Sequence, residues 1–127
     1  MREKNFQTAF NRWLKYNWDM TAVFELKLCK QKSFPLSALK EHQINALKVA
    51  GRKFIYKIPD SAEGQKPCDC IFIAGSPGYL VIMYYRRGQK KFYIIEISQI
   101  EKEIKSGSKS LTEERANSIA YKMGELR

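Results

Sequence analysis

The chain has one histidine, three cysteines and only 13 acidic residues against 23 lysines and arginines. Each shortage removes a class of chemistry. A lone histidine, His42, cannot form a general acid/base pair by itself. With Cys29, Cys68 and Cys70 it would make a zinc site only from an unusual ligand set. Cys68-Asp69-Cys70 also sends its two thiols to opposite faces if that segment is extended. Three thiols make no disulfide framework, so free cysteines in a reducing compartment are expected. No apolar run approaches the roughly 20 residues needed to span a bilayer. The first residues, Met1-Arg2-Glu3-Lys4-Asn5-Phe6, lack the apolar stretch of a secretory signal. An intracellular, cytoplasmic location and no membrane partner are therefore expected.

Positive charge is what the chain has in excess. A formal net charge of +10 over 127 residues favours a polyanionic partner, because each phosphate neutralised releases a counterion. Nucleic acid is the first candidate and an anionic membrane surface the second. The length suits a single domain, residues 1–127, with a real core.

Phe6, Phe10, Trp13, Leu14 and Trp18 recur at helical spacing and predict an amphipathic helix over 4–17, its tryptophans acting as core anchors. A strand is expected over 22–30. Pro35 and Ser37 mark a helix start and Gly51 a C-terminal cap, giving a helix near 37–50 with Leu36, Leu39, Gln43, Ala46, Leu47 and Ala50 inward. The chain then turns β-rich, with strands at 54–58, 68–74, 79–85 and 92–97; the second and third flank a turn at 75–78. Ser110-Leu111-Thr112-Glu113 has capping-box spacing and should open a last helix to about Met123. The natural packing is α/β, a mixed sheet of about five strands flanked by helices.

The chemistry concentrates in the first strand. Phe24, Leu26 and Leu28 fill one face, while Glu25 and Lys27 share the other. With Gln43 on the inward stripe of the next helix, acid, ammonium and amide can converge on one pocket. Metal-dependent phosphodiesterases are commonly built this way: magnesium polarises the phosphate and lysine orients or deprotonates the attacking water. A second carboxylate is then required. Asp69, which begins an apolar strand on the face of Ile71 and Ile73, comes first, followed by Asp60 and Asp19. Gln43 reads equally as a hydrogen-bonded core amide, and Glu25 with Lys27 as a solvated ion pair. Lys30 and Lys32 extend from the strand and are the first choice for phosphate contacts, with Ser33, Lys40, His42 and Lys66 beside them. Arg86 and Arg87, in the basic turn 86–91, come second.

The segment 24–44 resembles the strand-and-helix segment of PD-(D/E)xK nucleases, most closely that of RecU-type Holliday-junction resolvases. In that family an E-x-K strand runs into a basic stretch, an S-F-P-L-like turn and a helix bearing E-H-Q. Here these elements are Glu25 and Lys27, then Ser33-Phe34-Pro35-Leu36, then Glu41-His42-Gln43. The resemblance implies a restriction-endonuclease-like sheet and a magnesium-dependent endonuclease, with manganese as substitute, acting on branched DNA as a homodimer. Glu25 and Asp69 would bind the metal, and Lys27 and Gln43 would complete the catalytic set. The chain departs from the family in one respect. The P-x-D-type acid usually precedes E-x-K, whereas Pro67-Cys68-Asp69 follows it. The expectation is a permuted arrangement, in which a hairpin over 67–85 brings Asp69 beside Glu25. Two rival readings are a noncatalytic nucleic-acid-binding module and a basic protein-interaction domain. Small size fits a phage-encoded protein.

Overall fold

The computed structural model describes residues 1–126. At its centre lies β5 (Gly78–Arg86), whose unbroken run Tyr-Leu-Val-Ile-Met-Tyr-Tyr suits a strand covered on both faces. It pairs in parallel with β1 (Val23–Cys29), antiparallel with β6 (Gln89–Glu96), and β6 pairs antiparallel with β8 (Lys122–Glu125). The sheet order is β1-β5-β6-β8, so β1 is an edge strand.

Helices cover both faces. On one, α1 (Glu3–Asn17) buries Phe6 and Phe10 against Tyr79, Val81, Met83, Phe92 and Ile94. Phe10 meets the Phe92 ring edge-on at 5.3 Å. On the other face, α2 (Glu41–Val49), α3 (Ile97–Lys105) and α4 (Glu113–Ile119) contribute Leu47, Ile100 and Ala116 to a core with Leu80, Ile82, Tyr84 and Ile95. Each fully buried aliphatic side chain stabilises the fold by roughly 1.5–3 kcal/mol relative to exposure.

Two small antiparallel ladders complete the structure: β2 (Ser33–Pro35) with β7 (Ser110–Thr112), and β3 (Lys53–Lys57) with β4 (Cys70–Ala74). Tyr84 ties the first to the core by donating its hydroxyl to Leu111 O at 2.7 Å.

The mixed α/β class and the helix–sheet–helix layering agree with what the sequence predicts; several details do not. The main sheet has four strands rather than five, because β3 and β4 form a ladder of their own. No hairpin joins 68–74 to 79–85: β4 pairs with β3, while β5 runs alongside β1. The helix expected over 37–50 divides into a 3-10 turn, Leu36–Ala38, and α2, which starts after Lys40 rather than Ser37. The strand expected to reach Ile97 ends at Glu96, and α3 follows. The last helix is capped by Thr112, whose hydroxyl accepts from Arg115 N, and stops at Ile119; Met123 lies in β8. Gly124 makes that last pairing possible, because a Cβ there would collide with the Phe92 ring.

Candidate active site

The parallel register of β1 and β5 sets Glu25 opposite Leu80 and Lys27 opposite Ile82. The charged pair therefore lies on the side covered by α2, while Phe24, Leu26 and Leu28 pack toward α1. Between an apolar strand and a helix, a carboxylate has lost much of its water and needs partners. Glu25 has two. Gln43 Nε2 donates to Glu25 Oε1 at 3.0 Å, and Lys27 Nζ lies 3.8 Å from the same oxygen. The side chains of Lys27 and Glu25 remain 17% and 29% exposed, so the cluster is accessible from solvent.

Gln43 reaches Glu25 because of how α2 begins. It is the third residue of the helix, and its Oε1 accepts from the backbone amide of Lys40 at 2.9 Å. This is the glutamine half of a capping box. Lysine at the N-cap has no acceptor to complete the exchange. One amide thus closes the first turn of α2 and grips the β1 carboxylate. Gly78 allows α2 to lie this close to the sheet, since a Cβ there would run into the Leu47 carbonyl. Acid, ammonium and amide do converge.

Asp69 does not join them. It precedes β4, its side chain is 93% exposed, and it pairs with Lys66 at 3.3 Å; Lys66 also holds Asp60 at 3.0 Å. With β4 in the separate β3–β4 ladder, the permuted placement of Asp69 beside Glu25 is not formed. Asp19 is exposed in the α1–β1 connection. Among the described residues no group of three His, Cys, Asp or Glu side chains is arranged to hold a metal ion.

The basic candidates scatter around this centre. Lys30 and Lys32 are exposed just beyond β1, and Lys40 and His42 are exposed at the start of α2. Ser33 is half-buried and pairs with Thr112 in the small ladder. Arg87 is exposed in the β5–β6 turn. Arg86 lies 3.7 Å from Glu113, whose other oxygen accepts from the Tyr93 hydroxyl at 2.8 Å. Burial, and then that bond to Glu113, push the Tyr93 phenol up to about 12. Lys66 and Arg86 are thus engaged by carboxylates, whereas Lys30 and Lys32 face solvent.

Two polar residues that the sequence did not single out line a cleft on the other face of β1. Gln7 and Asn11 of α1 line a cleft of about 290 Å³ with Phe10, Leu14 and the stretch of β1 from Phe24 to Leu26, on the face opposite the Glu25 carboxylate. Their spacing of four places them on one side of α1, next to Phe10 and Leu14. No protein-family model matches the chain, and no curated protein or solved structure shows significant similarity to it.

Proposed function

We propose that the chain is a magnesium-dependent endodeoxyribonuclease that hydrolyses phosphodiester bonds of branched DNA, on a sheet of the restriction-endonuclease type. The observation that carries this reading is the Glu25–Lys27–Gln43 cluster, a partnered carboxylate and ammonium on the edge strand of a chain with net charge +10. The resemblance of 24–44 to the E-x-K segment of PD-(D/E)xK nucleases rests on the same residues.

Magnesium is usually held by one or two protein carboxylates, with phosphate oxygens and water filling the octahedron. Glu25 meets the lower end of that requirement. Asp69 stays outside the cluster, paired with Lys66 at 3.3 Å, so the remaining coordination positions would fall to phosphate oxygens and water. When bound, the metal supplies polarisation of the phosphate and a more acidic water. The protein's own contributions are separate from it. Gln43 keeps the Glu25 carboxylate turned toward the α2 side. Lys27 orients the attacking water and balances charge on a non-bridging oxygen. Lys30 and Lys32, with Lys40 and His42, hold flanking phosphates. Cutting two strands symmetrically calls for a homodimer.

The test is cleavage of labelled four-way junction, duplex and single-stranded DNA in magnesium or EDTA. The wild type should cut the junction only with magnesium, and Glu25→Ala should lower the rate by about a thousandfold. No metal-dependent cleavage of any substrate would overturn the reading. A second reading is favoured by the single carboxylate in the cluster, namely a noncatalytic nucleic-acid-binding module. It requires affinity for DNA that is unchanged by EDTA and by Glu25→Ala, with no cutting.

A further inference from the structure

The β3–β4 hairpin exposes large apolar side chains that no layer of the fold covers. Ile55 is 60% and Phe72 61% exposed, and the two are direct cross-strand partners, so they form one contiguous patch. Alternation along the strands places Lys53 and Lys57 on the same face, one on each side of Ile55, with Ala74 and Cys70 opposite them. Four residues of strand separate the two ammonium stems by about 13 Å. The face thus carries an aromatic ring and an aliphatic neighbour between two cations, and it bears no carboxylate. The acids of this region, Asp60, Glu63 and Asp69, lie in the distal loop, where Lys66 engages two of them.

We propose that this face is a nucleic-acid contact in its own right, seating an unpaired base on Phe72 beside Ile55, with Lys53 and Lys57 on the phosphates to either side. Single-stranded nucleic acid is bound by this combination, because every base has a π-face to stack and every nucleotide a phosphate to neutralise. Charge decides against a second copy of the chain as the occupant. Two cations flanking the patch, on a protein of net charge +10, repel their own image and attract a polyanion. The acidic distal loop bounds the contact, so the strand crosses the middle of the hairpin rather than running out to its tip. The inference rests on the nucleic-acid role proposed above but not on catalysis. For a nuclease of branched DNA it supplies a place for nucleotides unpaired at the branch point.

The test is fluorescence anisotropy in EDTA with a short labelled oligothymidylate and a duplex of equal length. Phe72→Ala should weaken single-strand binding by about tenfold and leave duplex binding unchanged. Phe72→Tyr, which keeps the ring, should restore it. The Lys53→Gln, Lys57→Gln pair should flatten the dependence of log affinity on log salt by about 1.4, near 0.7 for each phosphate that is no longer neutralised. Three results would each overturn the proposal: wild type without single-strand affinity, Phe72→Ala that binds like wild type, or Phe72→Ala that turns a dimer into monomers on gel filtration. The readings separate cleanly. Stacking-dependent binding without magnesium-dependent cleavage leaves the hairpin proposal standing and removes the nuclease, and cleavage with Phe72-independent binding does the reverse.

Discussion

β1 and β4 are made of similar residues and meet opposite fates. Val-Phe-Glu-Leu-Lys-Leu-Cys lies against β5, with α1 over one face and α2 over the other. Cys-Ile-Phe-Ile-Ala pairs, among the described residues, with β3 alone, and leaves Ile71 and Phe72 largely in solvent. Their acids differ accordingly. Glu25, within a covered strand, is held by an amide from one element and an ammonium from its own. Asp69, at the mouth of an uncovered strand, pairs with a lysine three residues away in full solvent. An acid becomes a site residue through what packs over its strand, and local alternation does not report that.

The comparison makes demands on stability as well as on function. Ile82 is fully buried beside Lys27 in the register, so Ile82→Ala should cost about 2–5 kcal/mol in urea unfolding, from reduced burial and the cavity left behind. A loss below about 1 kcal/mol would mean that the β1–β5 seam is not packed as described.

Gly78→Ala probes the same seam from the helix side. The added methyl meets the Leu47 carbonyl, which is backbone and cannot rotate away, so α2 must shift. Overpacking of this kind costs about 1–3 kcal/mol. It should also draw Gln43 off Glu25, weakening cleavage in the folded fraction beyond what reduced stability explains. A variant as stable and active as wild type would show that α2 has slack over β5.

Much of this was legible in the residues. The α1 stripe, the covered strand β1, the continuous run of β5 and the meeting of Glu25, Lys27 and Gln43 follow from periodicity, because α1, β1 and β5 turn their apolar positions to the core; Ala46, on the stripe expected to face inward on α2, is exposed. The misses have physical causes. α3 carries Ile97, Ile100 and Ile104 at helical spacing, but it continues directly from the Ile-rich end of β6, and β-branched residues favour strand. β8 is only four residues, with one buried position, Gly124, that reads as a breaker. It is a strand because Phe92 needs the space a side chain would take. Adjacency in sequence favours a hairpin of β4 with β5, which the structure does not form. Instead, β5 pairs with β1, joining Lys27 to the central strand, and β4 is left with β3.

The smallest effect is expected on the hairpin, and it is the most discriminating. Ile55→Ala removes the same atoms as Ile82→Ala, from a side chain that is 60% exposed rather than fully buried. Most of that surface already meets water in the folded state, so little transfer energy is forfeited and no cavity forms; the change in unfolding free energy should stay within about 0.5 kcal/mol. A two-stranded ladder with little support is marginal by itself, so its amides should also exchange with solvent faster than those of β5. If Ile55→Ala instead destabilised the isolated chain as much as Ile82→Ala, the hairpin would be packed against a layer of its own protein. The patch would then not be free for a ligand, and the contrast between β1 and β4 would collapse. If stability is unchanged while single-strand affinity falls, the exposure of Ile55 and Phe72 belongs to binding rather than to folding.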